Sequence, residues 1–467
     1  MSERTLFVTG KLAERSLKRI LDSIGREQIE WDIVVPGVTV AALITSDLLK
    51  RRLGDISAYQ RVVLPGRCRG DLALLHEKFG VPFERGPEEL KDLPRYLGHE
   101  SATREIGATD IRIFAEIVDA PYLSIEAILA RAQRYRADGA DVIDLGCLPD
   151  VPYKHLEESI RALGDAGFKV SIDSLEQDEL ERGITAGADY CFSLSESNLD
   201  LLDGSDCVPV LIGEDPRDMD SLARAIEAMT ATGRAFYADP IIDPIHYGFT
   251  ESIARYAELR KRYPDIEIML GIGNLSELTH ADTLGLNAAI MGIASELNVT
   301  AVLTTEVSGH CRTAVRELDR IQRVMYAARE DNTPPRHLDE SLMVLHDRHP
   351  FPYDEKEIDD FAADVRDRNF RIQVSESGIH VYNREGMRID TDPYELFPKL
   401  ELGDDAPHAF YMGLELAKAQ IAWQLGKRYE QDEELRWGCV VERAEESKDS
   451  FREAKSTFKA RRRKPRK

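Results

Sequence analysis

From Ile111 onward the apolar positions change spacing in a regular way: a short β-rich apolar run, a polar turn, then an amphipathic helix, repeated eight times up to Glu296. The runs are Ile111–Ile117, Val142–Leu145, Lys169–Asp173, Tyr190–Leu194, Val208–Ile212, Ala235–Asp239, Glu267–Leu270 and Ala288–Met291. Strands that alternate with period-3.6 helices require a parallel sheet covered by helices, and eight such units close a (β/α)8 TIM barrel. A carboxylate or amide repeatedly ends the run. That sets Glu116, Asp144, Asp173, Asp239 and Asn274 at the carboxyl ends of strands, the face that carries chemistry in this architecture. A lone acidic strand end reads as a helix N-cap; several around one rim read as a shared site, and the expectation is an enzyme.

The flanks follow other patterns. Strands near Leu6–Val8, Asp32–Val35 and Arg61–Leu64, with helical spacing over Leu12–Ile24 and Ser46–Leu53, predict an N-terminal three-layer α/β domain over residues 1–100. Its third strand runs into Pro65-Gly66-Arg67-Cys68-Arg69-Gly70-Asp71, a turn before a helix from Leu72 to Phe79. That turn reads equally as an anion cradle at a helix start or as a glycine turn with solvated arginines. The polar stretch Gly98–Gly107 reads as a linker into a barrel domain at 108–331, whose last element is a charged helix over Thr313–Glu330. Asn332-Thr333-Pro334-Pro335-Arg336 ends it. Strands over Arg371–Val374, Gly378–Asn383 and Gly386–Asp390 and a helix over His408–Gln424 then predict a small C-terminal α+β domain at 336–442. The basic residues 443–467 read as a disordered, solvating tail.

Composition narrows the partners. A net charge of −23 disfavours nucleic acid and anionic lipid, the basic tail being the one local exception. No apolar run approaches the roughly 20 residues that span a bilayer, and Met1-Ser2-Glu3-Arg4-Thr5 has no signal core, so a cytoplasmic protein is expected. The six cysteines are scattered without a CxxC pair, which predicts reduced thiols. His346 and His349 precede Pro350 and read as a surface turn rather than a metal site.

Four motifs, taken in order, carry a resemblance: Gly139–Gly146 (GADVIDLG), Lys169–Ser174 (KVSIDS), Ala238-Asp239-Pro240, and the turn Gly271-Ile272-Gly273-Asn274. This series resembles the pterin-binding barrel of dihydropteroate synthases. The flanking Leu64–Asp71 (LPGRCRGD) and His408–Gln420 (HAFYMGLELAKAQ) resemble the longer synthase-like proteins of tetrahydromethanopterin biosynthesis. The resemblance implies a transferase that joins a hydroxymethyl-dihydropterin diphosphate to an arylamine. In that pathway the amine is 4-(β-D-ribofuranosyl)aminobenzene 5'-phosphate. It implies a pterin substrate, Mg2+ accompanying the diphosphate, and a possible homodimer.

By the same resemblance Asp239 makes a forked contact to the pterin's amino group and ring N–H, and Asp173 contacts the ring. Both would stabilise positive charge as diphosphate leaves. Asn274 suits the mixed donor and acceptor edge, Asp144 and Glu116 lie around the diphosphate, and Glu116 is the expected metal contact. Two basic motifs of the synthases are absent: Asn274-Leu275-Ser276-Glu277 replaces a serine-arginine-lysine run after strand seven, and Thr304–His310 replaces an arginine-histidine pair after strand eight. Arg312 is the candidate to supply the lost phosphate contact. Two other readings stand beside the synthase. One is a non-catalytic pterin-binding accessory protein, motivated by the lost basic residues and extra domains. The other is a pterin-dependent methyltransferase, since GIGNLS with Leu286-Asn287 also resembles corrinoid-linked barrels.

Overall fold

The computed structural model describes residues 4–24, 29–87, 90–98, 106–149, 151–336 and 338–441; the tail at 443–467 and most of the linker lie outside them. The chain divides into two compact units. One is Arg104–Leu342 with Gly438–Val440; the other combines the N-terminal segment, through Thr103, with the C-terminal segment from Met343 onward. The two flanks read separately from the sequence are therefore parts of a single unit.

The N-terminal segment holds four parallel strands, β1 (Arg4–Val8), β2 (Glu30–Val34), β3 (Arg61–Leu64) and β4 (Phe83–Arg85), in the order β2-β1-β3-β4. The fourth is too short to register as an apolar run. In the Pro65–Asp71 turn Gly70 stands at φ 108° and Arg69 is exposed, as a glycine turn requires, while Arg67 is half-buried and bonded. Asp71 caps the helix start by accepting from Ala73 N (2.8 Å), Arg67 donates to the Gln431 carbonyl (2.7 Å), and Arg85 from β4 donates to the Cys68 and Gly70 carbonyls (2.8 and 2.7 Å).

The barrel comprises β5 (Arg112–Ile117), β6 (Val142–Gly146), β7 (Lys169–Asp173), β8 (Tyr190–Leu194), β9 (Val208–Leu211), β10 (Tyr237–Ala238), β11 (Glu267–Gly271) and β12 (Ala301–Thr305). All eight pair in parallel, and β12 closes onto β5 with Thr305 opposite Glu116. Seven strands fall on the predicted runs; the eighth does not. Ala288–Met291 lies inside the helix Thr283–Glu296, and the closing strand is ten residues further on. A four-residue apolar run fits a buried strand or a buried helix face equally well. The helix prevails because Thr283, Asn287, Ile290, Met291 and Ala294 are buried at helical spacing against the helix Ala314–Glu330.

In the C-terminal segment β13 (Arg371–Ser375), β14 (Gly378–Asn383) and β15 (Gly386–Asp390) form an antiparallel meander. The helix Ala406–Leu425 packs across it, started by Asp405 accepting from His408 N and stopped by Gly426 at φ 60°. All six cysteines are free. Among the described residues no helix is long and apolar enough to cross a membrane.

Candidate functional site

Alternation along a strand decides what the barrel encloses. The interior is filled first by Phe114, Val142, Tyr190, Phe192, Val210, Tyr237, Met269 and Ala301, with Phe114 edge-on to Tyr190, Phe192 and Tyr237. Two residues beyond Phe114, Val142 and Tyr237, on the same face, stand Glu116, Asp144 and Asp239. A layer of carboxylates thus rests on an apolar plug at the carboxyl end of the strands. Ladder register puts Glu116 opposite Asp144, Asp144 opposite Ser171, and Gly146 opposite Asp173. Gly146 is glycine for room, since a Cβ there would come within 2.5 Å of Glu116 Oε1.

Three of the four carboxylates, Asp144, Asp173 and Asp239, are held by neighbours that the sequence did not mark. Ser171 Oγ donates to Asp144 (2.6 Å) and Ser193 Oγ donates to Asp173 (2.7 Å). Ser193 does so from a bulge between β8 and β9, at φ 61°. Asp239 Oδ1 accepts from Tyr256 Oη (2.5 Å) and Ile241 N (2.7 Å). Ile241 sits at φ 56°, costly for a β-branched residue, and that strained turn aims its amide at the carboxylate. Tyr256 lies on the helix Phe249–Arg262, seventeen residues away. Its only sequence signal is the buried helical stripe it shares with Ser252 and Leu259.

Burial and mutual repulsion set the charge state. Desolvation, then the neighbouring Asp173 and Glu277, push the Glu116 carboxyl up to about 7. Desolvation with Glu116 and Asp173 holds Asp144 well above the usual carboxylate range, and burial also raises Asp173. Asp239 is pushed to about 6 by burial, against the lowering effect of Tyr256 and the Ile241 amide. Among the described residues none of the four forms an ion pair: Arg255, the nearby cation, is committed to Asp243 at 2.9 Å and to the Pro240 and Ile241 carbonyls. Asp144 Oδ2 is buried without a hydrogen-bond partner among the described residues. Such a layer lacks donors, and a ligand rich in N–H groups, or a cation, satisfies it.

The remaining candidates are placed less closely. Asn274 does not cap an open glycine turn; it belongs to the short helix Gly273–Ser276 and donates to the Ile242 carbonyl at 3.1 Å. Arg312, on the loop after β12, is exposed and makes no hydrogen bond or ion pair among the described residues. Glu277 adds a negative charge beside Glu116, its carboxylate held by the Val307 and Ser308 amides (2.9 Å each). Among the described residues there is no group of three or more His, Cys, Asp or Glu arranged to hold a metal ion.

The fold and site define a (β/α)8 barrel with an acidic, buried to half-buried layer at the carboxyl ends of its strands. Comparison with known proteins adds the following. Residues 3–88 match a family of unknown function, DUF6513. The chain is 27% identical to an uncharacterized protein of Methanocaldococcus jannaschii, across 92% of this chain and 99% of that one. Solved structures similar to 46–48% of the chain include three dihydropteroate synthases. The Yersinia pestis enzyme with a pterine-sulfa conjugate is 16% identical (TM-score 0.38, 95% of that chain covered). The Coxiella burnetii enzyme with pteroic acid is 14% identical (0.40, 95%), and the Thermus thermophilus enzyme 18% (0.37, 93%). Likenesses at this level carry no information about chemistry, so the functional reading rests on the residues of this chain.

Proposed function

We propose that the carboxylate layer binds a reduced pterin and that the protein is a dihydropteroate synthase-like transferase, coupling hydroxymethyl-dihydropterin diphosphate to an arylamine. The observation that carries the reading is the stack of Glu116, Asp144, Asp173 and Asp239 above an apolar plug, without a cationic partner among the described residues. A pterin offers what this layer lacks: an amino group and a ring N–H side by side on a flat, apolar-faced ring. Tyr256 and the Ile241 amide hold Asp239 Oδ1 and fix the plane of the carboxylate, which leaves Oδ2 for the pterin's amino group. Asp173 meets the ring from the next wall, and Asn274 offers its carbonyl oxygen and the second N–H of Nδ2, the first being given to the Ile242 carbonyl.

In the reaction, the bond from the exocyclic methylene to the diphosphate oxygen breaks and its electron pair leaves with diphosphate. The amine nitrogen forms the new C–N bond and then loses a proton. Asp173 and Asp239 stabilise positive charge on the pterin, and no protein nucleophile takes part. The partnerless Asp144 Oδ2 and the raised Glu116 suit a divalent cation, so Glu116, with Asp144 beside it, would hold the magnesium of the diphosphate and let it offset leaving-group charge. Arg312 is assigned to the phosphate of the acceptor. That this acceptor is 4-(β-D-ribofuranosyl)aminobenzene 5'-phosphate rests on the resemblance of the flanking segments.

A second reading is a pterin-binding accessory protein, favoured by the absence, among the described residues, of any cation paired with the layer, where a diphosphate would need one. One experiment separates the two. The full chain is incubated with Mg2+, hydroxymethyl-dihydropterin diphosphate and either arylamine, while diphosphate release and product mass are followed. Turnover is expected; tight pterin binding without turnover selects the accessory role, and absence of pterin binding overturns both.

A further inference from the structure

The unit built from the N- and C-terminal segments contains a cavity of about 500 Å³ that the barrel chemistry does not use. It opens at the carboxyl ends of β1 and β3. In the order β2-β1-β3-β4 the chain winds one way from β1 to β2 and the other way toward β3, so the crevice between β1 and β3 is the switch point of the sheet. Open parallel sheets bind ligands at that point because the loops diverge there. Here the C-terminal segment roofs the crevice with the helix Glu355–Asp364 and strands β13 and β14. The size is that of pockets for ligands of two or three rings.

The walls say what kind of molecule fits. Phe7, Tyr353, Phe361 and Tyr382 present aromatic surface, with Val63 and Leu17 between them. Three of the charged groups at the edge are already matched: Arg371 to Asp367 (Nη2 at 2.7 Å), Arg19 to Glu357 (3.7 Å), and Arg67 to the Gln431 carbonyl (2.7 Å); Asp364, at the end of the roofing helix, is exposed and adds a negative charge that disfavours an anion. The β1 loop, which cradles phosphate in many such sheets, is spent. Thr9, Lys11, Leu12 and Ala13 donate their amides to the carbonyls of Val34, Val38, Thr39 and Gly10. The loop is also pressed so closely on its neighbour that a Cβ at Gly10 would lie 2.4 Å from Ala41 N. Those four amides are therefore not available to an anion. Apart from the exposed Asp364, two neutral polar groups face a ligand: the Thr9 hydroxyl, 2% exposed, lines the cavity without a hydrogen-bond partner among the described residues, and the Gln373 amide nitrogen is left over after its oxygen accepts from Tyr382 (3.0 Å).

We infer that this cavity is a second ligand site, for an uncharged aromatic molecule of two or three rings whose polar edge meets Thr9 and Gln373. It is independent of the pterin reading, since no residue of the barrel lines it.

The test is fluorescence titration of the full-length chain with the neutral dye N-phenyl-1-naphthylamine, with its sulfonated relative 8-anilinonaphthalene-1-sulfonate as the charged control. One saturable site for the neutral dye, at least tenfold tighter than for the sulfonate, is the expected result. Ser16→Trp, which places an indole in the cavity from a partly exposed helix position, should abolish it with the thermal melt unchanged. Thr9→Val, which keeps the shape and removes the hydroxyl, should weaken it by roughly two- to tenfold. Absence of a saturable site, a stoichiometry above one, equal binding of the sulfonate, or binding indifferent to Ser16→Trp in a folded variant would each overturn the proposal.

Discussion

Asp239 shows how a single side chain is tuned by parts of the chain that its own strand does not contain. Burial pushes it up, and Tyr256 and the Ile241 amide act against that, so that it stands at about 6. An ionised carboxylate is the better acceptor for the pterin's amino group, so pterin affinity should rise with pH through about 6, as read by calorimetry between acid and alkaline buffers. Asp239→Asn should weaken binding by at least about tenfold, because an amide oriented by Tyr256 puts a donor where an acceptor is needed. Tyr256→Phe removes a hydrogen bond to the charged form, so the midpoint of the pH profile should move upward. A profile unmoved by Tyr256→Phe would take Asp239 out of the site. The sequence marked Asp239 because it ends an apolar run; Tyr256 escaped because a phenol on a helix stripe looks like any core residue until the helix is docked.

The misplaced eighth strand is instructive at the level of elements. Ala288–Met291 and Ala301–Thr305 are both short apolar runs, and local pattern cannot rank them. What ranks them is a polar contact across two helices. Glu317, 2% exposed on the helix Ala314–Glu330, accepts from Thr283 Oγ1 (2.8 Å), Asn287 Nδ2 (2.9 Å) and Thr313 Oγ1 (2.8 Å). Thr283 and Asn287 face it together only when Thr283–Glu296 is helical, which puts them one turn apart. Glu317→Leu should therefore cost on the order of 3 kcal/mol in urea unfolding, since it strands two buried donors, Thr283 and Asn287, and the half-buried Thr313 hydroxyl. Double substitution of Glu317→Leu with Asn287→Leu should recover part of that loss. Strictly additive losses in the double variant would show that the contact does not join these helices.

For the molecule as a whole, the carboxylate layer makes a statement about pH. Glu116 near 7 and Asp239 near 6 both lie above their unfolded values, so the native state holds extra protons between roughly pH 4 and 7. Their stabilising contribution is complete below about pH 4 and is lost as pH rises through 7. The net charge of −23 acts in the same direction, but salt at about 1 M shortens its reach to about 3 Å and leaves a buried layer unscreened. The melting temperature should therefore fall between pH 5 and 8 even at about 1 M salt, and Glu116→Gln should flatten the profile, with a gain on the order of 2 kcal/mol at pH 8. A flat profile for the parent chain in high salt would mean that the layer is more hydrated than its position implies. The division between sequence and structure follows from range. Strand and helix periodicity, turn residues and the acids at four strand ends are local, so the barrel class and the placing of Glu116, Asp144, Asp173 and Asp239 on one rim were legible along the chain. The partners Ser171, Ser193 and Tyr256, the true closing strand, the union of the two termini in one unit and the cavity between them depend on contacts between distant segments, and only packing decides which of those form.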